Sequence, residues 1–344
     1  STTTWPTNLN WPTTGAAAVS LAAVYGETTT VMDFARQPAE GDLLQAIEEG
    51  KERWAGNAYT DFSFHPILIE SAAPEVIAQV GRVMADGFPT IKILTTSIRP
   101  PSGPGPTSFT DFGRLAEIME QVRCAGGMMF VHSEDEDIVR YNYLTTQERG
   151  RWDWHNMHLI HSNLSEVLSF RRVIRLAQQV GAAVYFVHVS AKEGVNAIAE
   201  ARGRGLPIYG ETLHNYACFN ADNYREPDGM KYHTYPSLKS EEDRQALMDG
   251  LMDGGLSTVA TDLVATSWED KIKFKTVADV TGGHNGIETR MGIAYTEGVA
   301  KRGVSLERFV DITSANAARI FGLYPRKGAI AAGSDADIAI IDPS

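Results

Sequence analysis

The sequence predicts an α/β fold built on a parallel sheet, and three observations carry that reading. Seven short β-rich runs alternate with stretches of 3.6-residue periodicity along nearly the whole chain. Glycine follows several of the periodic stretches, as in Met84-Ala85-Asp86-Gly87 and Gln178-Gln179-Val180-Gly181, a common helix stop. The length, 344 residues, suits one α/β barrel of roughly 250 residues with additions. A doubly wound open sheet and a closed barrel both fit the alternation. Seven strands are one short of the eight that closure requires.

In chain order, the predicted strands are Thr30–Phe34, Phe62–Ile67, Thr90–Thr95, Met128–His132, Ala183–His188, Pro207–Glu211 and Ser257–Asp262. Helical periodicity covers Asp42–Trp54, Ala73–Ala85, Phe112–Cys124, Leu164–Val180, Ala191–Arg202 and Glu241–Met252. The run from Arg99 to Pro106 is too rich in proline and glycine for helix or ladder and predicts a long loop after the third strand. After the last helix, Arg326–Ile330 and Ala336–Ile341 read as strands leaving the barrel for a small separate sheet. The expected division is therefore a barrel over residues 1–325 and sandwich strands over 326–344.

Composition excludes several function classes. The net charge of −12, from 31 basic and 43 acidic residues, argues against nucleic acid and anionic membrane surfaces as partners. No apolar run approaches the ~20 residues that span a bilayer. No basic stretch leads into an apolar one at the start, although a chain beginning Ser1-Thr2-Thr3 has lost at least its initiator. Two cysteines, Cys124 and Cys218, offer neither a disulfide framework nor a thiolate zinc site, which suits a reducing cytoplasm. Both are expected to be buried apolar thiols.

Four strands end on, or carry, residues that bind metal or move protons. They are Lys92 in Thr90–Leu94, His132 closing Met129–His132, His188 closing Tyr185–His188 and Asp262 closing Val259–Asp262. Alternation puts Lys92 with Leu94 on one face, Phe130 with His132, and Phe186 with His188. Barrel enzymes gather catalytic groups at the C-terminal ends of several strands. Two neutral imidazoles and a carboxylate suit zinc or a similar divalent ion. A lysine held among aliphatics loses its proton readily and can add carbon dioxide to give a carbamate. Taken singly, each residue also has a plain structural reading: a packed histidine, a snorkelling lysine, an aspartate capping the next helix.

Together these residues bring the chain to a resemblance. Tyr25-Gly26-Glu27-Thr28-Thr29-Thr30 with the following strand, Val131-His132-Ser133-Glu134, Val187-His188-Val189-Ser190 and Gly210-Glu211-Thr212 resemble motifs of the dihydropyrimidinase/hydantoinase branch of the cyclic amidohydrolases. So do Phe321–Gly328 and Ala332–Ile338 near the end. The resemblance implies a TIM-like (β/α)8 barrel holding two divalent ions, usually zinc, bridged by a carboxylated Lys92 and by hydroxide. Lys92 would bridge, His132 and His188 would hold one ion, and Asp262 would hold the other and shuttle the proton. The reaction implied is the opening of a cyclic amide or ureide to an N-carbamoyl acid, in a homo-oligomer acting on a small cyclic substrate.

The chain departs from the pattern at four places. The His-x-His pair that ends the family's first strand has no counterpart, since no histidine occurs in the first thirty positions. The expectation is that the first barrel strand is missing and the chain is cut short at its start. Ser97 stands where relatives carry an oxyanion-stabilising tyrosine, and Tyr235 in Tyr235-Pro236-Ser237-Leu238 where they carry a substrate-contacting serine. Leu263 follows the aspartate where a histidine is common. Gly282 and Asn285, in Gly282-Gly283-His284-Asn285-Gly286, correspond to a segment that contacts the ring. Two alternatives stay open: an allantoinase or dihydroorotase type of amidohydrolase, and a scaffold that kept the fold without the metals. His155, His158 and His161 read as surface or loop residues, and His214 has no fixed role. The loops Thr3–Thr14 and Thr96–Thr107 are expected to control substrate access.

Overall fold

The computed structural model describes residues 15–69, 72–98, 110–280 and 282–342. Seven strands, β1 (Thr30–Arg36), β2 (Asp61–Ile67), β3 (Thr90–Leu94), β4 (Met128–His132), β5 (Ala183–Phe186), β6 (Ile208–Leu213) and β7 (Thr258–Ala260), form one sheet in sequence order. Every neighbouring pair is parallel. The sheet is curled, because side chains of strands that are not neighbours in its order meet across an interior. Phe34 on β1 lies 6.1 Å from Phe130 on β4 between ring centroids. Tyr185 on β5 shares a 2.5 Å hydrogen bond with Thr258 on β7. The result is a parallel half-barrel with helices outside, consistent with a TIM-like barrel. Among the described residues β1 and β7 do not pair. Arg290 spans the two edges instead, donating to the Val259 carbonyl at 3.3 Å and to Thr28 Oγ1 at 3.1 Å.

Alternation along the strands divides the core in two. Ile91, Ile93, Met129, Val131, Val184 and Phe186 face outward into the large sheet–helix core. There Phe186 stacks on Phe170 of the helix Asn163–Val180, centroids 4.0 Å apart. Phe34, Ile67, Phe130, Tyr185, Val187 and Phe321 form the separate inner cluster. Register makes this inner layer continuous: Lys92 lies opposite Ile67 and Phe130, and Phe130 opposite Tyr185. The Phe130 ring stacks between His65 at 4.2 Å and Tyr185 at 4.9 Å, both rings nearly parallel to it. Truncating this ring in Phe130→Ala is expected to cost about 3–5 kcal/mol, the usual range for a buried phenylalanine. Urea unfolding checks it, and a loss below ~1 kcal/mol would remove the stack from any account of barrel stability.

Local chemistry explains why the helices start where they do. Asp42, Asp111, Asp135, Ser162 and Ser240 each accept a backbone N–H from the first turn of the following helix. The expected helix over Ala73–Ala85 is two short ones, Pro74–Ile77 and Val80–Ala85. The expected β5 stops two residues early, at Phe186, and β7 stops at Ala260. Left-handed backbone at His188 (φ 40°) and Asp262 (φ 44°) takes both ends out of the ladder.

Other expectations need correction. Arg326–Ile330 and Ala336–Ile341 carry no strand among the described residues. A strand requires a neighbour for its N–H and C=O groups, whereas in the first segment the Lys327 N–H bonds the Leu323 carbonyl and the Arg326 carbonyl accepts from Asp335 N–H, both local turn contacts. Cys124 is exposed and Cys218 half-buried, so they are not a pair of core thiols. The loop from Arg99 to Pro106, and the access loops at Thr3–Thr14 and Thr96–Thr107 apart from residues 96–98, lie outside the described residues. No helix among the described residues is long and apolar enough to cross a membrane.

Candidate active site

The C-terminal ends of the strands surround a cavity of about 50 Å³ lined by Lys92, His132, His188, Asp262, Tyr235 and Gly282, with Phe34, Ile67, Leu94, Ile98, Thr234, Val264 and Gly283. Six of the eight residues singled out from the sequence thus meet at one place. His188 does not arrive there by simple alternation. Tyr185 and Val187 point inward while Phe186 points out, so the pairing of Phe186 with His188 is wrong. The left-handed turn at His188 breaks the parity and swings its imidazole to the cavity. Backbone bonds on both sides hold that turn: Val187 N–H to Val131 at 3.2 Å, and Val189 N–H to Glu211 at 2.8 Å. Non-glycine residues at positive φ store about 1–3 kcal/mol of strain each, and such strain gathers at functional sites.

Burial sets the protonation states. It pushes His188 well below the ordinary imidazole range, with the neighbouring His132 and Lys92 adding to the effect. His132 is lowered by burial too, against the pull of Glu134. Both imidazoles are therefore neutral, and His132 Nδ1 faces His188 Nε2 at 2.9 Å. Lys92 is 5% exposed, with Nζ 5.8 Å from the Phe34 ring centre and 5.9 Å from that of Phe130. Burial lowers its ammonium to about 7, although Asp262 and Glu211 oppose the shift. Burial raises Asp262, and Lys92 works against that.

This donor set fits a divalent cation. Neutral imidazoles and a carboxylate are suitable ligands. Two nitrogens 2.9 Å apart lie within the span of two ligands sharing one ion at about 2.0–2.1 Å each. His188 Nδ1 is buried without a hydrogen-bond partner. Asp262 does not close with the two histidines into a three-donor cluster. The only such cluster among the described residues, with donor atoms within 4.8 Å of one another, is Asp61, Asp335 and Asp337. Lys327 Nζ sits among those three carboxylates at 2.5, 3.0 and 2.5 Å. They form an ion-pair network around Lys327 at the N-terminal end of β2, the opposite end of the strands from Lys92 and the histidines.

Two expected contacts stay apart from the cavity. Ser97 gives its N–H to Glu136 Oε2 at 2.6 Å, which turns the residue away from the lining. Asn285 is exposed, beyond Gly282 and Gly283. Other residues were missed by sequence reasoning. His161 is fully buried rather than on the surface, with Nδ1 2.9 Å from Glu134 Oε2. Nothing local in its segment announces this, because its partner lies 27 residues earlier. Lys271 is buried and donates to the carbonyls of His233 and Gly283, tying together the two loops that carry Tyr235 and Gly282.

Gly282 has a steric role. A Cβ there would lie 2.3 Å from two atoms of the Tyr235 ring. Gly282→Ala is expected to push that ring into the cavity, raising KM at least about tenfold with a smaller change in kcat, as loss of uniform binding does. Steady-state kinetics checks this; an unchanged KM would mean the ring moves elsewhere.

Comparison with known proteins agrees with the fold and places the chain in a family. The amidohydrolase family model matches residues 14–344. The D-hydantoinase of Streptomyces coelicolor is 32% identical over 326 residues, which are 94% of this chain and 68% of that protein. The crystal structure of a dihydropyrimidinase from Brevibacillus agri superposes with a TM-score of 0.88 at 29% identity, covering 94% of this chain and 70% of that one. An L-hydantoinase (dihydropyrimidinase) structure from Arthrobacter aurescens superposes with a TM-score of 0.84 at 26% identity, covering 96% and 72%. The chain belongs to the amidohydrolase family, in its hydantoinase and dihydropyrimidinase branch.

Proposed function

We propose that the chain is a metal-dependent hydrolase that opens a cyclic amide or ureide, of the dihydropyrimidine or hydantoin type, to an N-carbamoyl acid. One observation carries the proposal: Lys92, His132, His188 and Asp262 converge on a single cavity from four different strand ends. Lys92, as its carbamate, His132, His188 and Asp262 would hold two divalent ions, with zinc the fitting metal for this donor set. When bound, such ions lower the pKa of water and polarise a carbonyl. The lysine side chain supplies the carbamate because its amine is neutral enough near pH 7 to attack carbon dioxide, forming an N–C bond and releasing a proton. Asp262 takes the proton of the attacking water and passes it to the departing ring nitrogen. Tyr235 and Gly282 flank the ring. Relatives named for D- and for L-hydantoinase activity both match the chain, and the substrate panel therefore includes both hands of a 5-substituted hydantoin.

The same reading divides the chain into a barrel over residues 1–325 and a tail over 326–344 that enters a small sheet only when strand partners are supplied. It also includes a homo-oligomer, which light scattering on the purified protein would test.

The test is metal content per chain by elemental analysis, paired with a substrate panel. Protein loaded with zinc and bicarbonate is offered hydantoins, dihydrouracil, allantoin and dihydroorotate, and N-carbamoyl product is measured. About two ions per chain with ring opening of the first two substrates is the expected result. Turnover of allantoin or dihydroorotate alone would move the assignment to that type. No metal and no turnover would overturn the proposal in favour of a scaffold.

A further inference from the structure

Behind the cavity lies a buried chain of polar contacts that the proposed chemistry does not use. Glu134, two residues after His132, is completely buried, as is His161. Glu134 Oε2 lies 3.1 Å from His132 Nε2. The same carboxylate lies 2.9 and 3.0 Å from His161 Nδ1 and 3.4 Å from Ser165 Oγ. The carbonyl of His161 accepts from Ser237 Oγ at 3.1 Å and from Lys239 Nζ. On the strand side, Thr95 clamps the motif. Its hydroxyl donates to the Glu134 carbonyl at 2.8 Å and receives the Glu134 N–H at 3.0 Å, while Thr95 N–H bonds the His132 carbonyl at 3.0 Å.

We propose that Glu134 is a positioning residue for His132, fixing its Nε2–H tautomer and its ring plane so that the Nδ1 lone pair is presented to a metal ion in the cavity. The inference rests on the reading of His132 as a ligand. A carboxylate has only lone pairs to offer, so the 3.1 Å contact places the hydrogen on His132 Nε2. That leaves Nδ1 bare, and Nδ1 is the nitrogen facing His188 at 2.9 Å. Histidine ligands commonly give their second N–H to a carboxylate, which locks the tautomer and raises ligand basicity. His161 holds the far side of Glu134, and Ser237 with Lys239 holds His161. Because Ser237 follows two residues after Tyr235, the wall of the cavity and the orientation of His132 share one buried support.

The experiment uses histidine labelled with nitrogen-15 in the metal-free chain, followed by zinc competition against a chromophoric chelator. Wild type is expected to show His132 as the Nε2–H tautomer in long-range proton–nitrogen correlations; the Nδ1–H tautomer would overturn the inference, and this measurement needs no variant. Glu134→Ala is expected to lose the tautomer preference and to bind zinc roughly 10–100-fold more weakly. Glu134→Gln, whose amide oxygen still accepts from Nε2–H, is expected to keep both the tautomer and most of the affinity. Unchanged zinc affinity in a folded Glu134→Ala overturns the inference while leaving His132 a ligand. Unchanged affinity in His132→Ala would instead overturn the metal reading on which it rests.

Discussion

Lys92→Ala is expected to lower kcat by on the order of 10³-fold, because it removes the carbamate that would hold the metal pair, and several kcal/mol of transition-state stabilisation go with it. The surroundings of this lysine suit the proposed carbamate. Its Nζ lies over the rings of Phe34 and Phe130, and burial lowers its ammonium to about 7 despite Asp262 and Glu211. Below that pH the amine is protonated and cannot attack carbon dioxide. The bicarbonate needed to reactivate decarboxylated protein should therefore rise steeply as pH falls below 7. A stability signature accompanies this. The unfolded lysine titrates near ~10.4, so between about 7 and that value the unfolded chain binds a proton that the folded chain has released. Metal-free protein should gain stability with rising pH across this window and lose it as pH falls through the folded value. Lys92→Met should flatten that slope in urea titrations. An alanine variant retaining wild-type turnover would dismiss the lysine from the site.

Asp262→Asn is expected to cost roughly 10²–10⁴-fold in kcat, the range for a lost general acid–base group, with a smaller effect on KM. Asparagine is the informative replacement because it tolerates the left-handed backbone that Asp262 adopts at φ 44°. Alanine would add a conformational penalty to the chemical one. Burial holds the Asp262 carboxyl above its usual range, with Lys92 opposing. Wild-type kcat/KM should therefore fall on the acid side as this group takes up a proton, and the variant should lack that limb. A kcat within about tenfold of wild type would show that another group moves the proton.

Much of the fold was legible because strand–helix alternation is a local signal. All seven strands lie where apolar β-rich runs predict them, and Phe112–Cys124 matches its helix end to end. Lys92, His132, His188 and Asp262 were legible because each closes or occupies such a run. The tail could not be read in this way. Ala336–Ile341 has a strand's composition, yet a strand exists only when a neighbouring strand takes its backbone bonds, and composition does not specify that neighbour. His161 was misread for a similar reason, since its burial comes from Glu134, Ser237 and Lys239, all distant in sequence.

Sequence by itself therefore determined the parallel α/β architecture, which is written in periods of two and 3.6 residues, and marked Lys92, His132, His188 and Asp262 as chemistry-bearing residues at or near the ends of its apolar runs. Tertiary structure alone decided which way His188 points, that Glu134 and His161 stand behind His132, and that Ser97 and Asn285 stay clear of the cavity. Those outcomes depend on a positive φ, on buried hydrogen bonds between remote segments and on loop packing, and none of these leaves a local pattern in the chain.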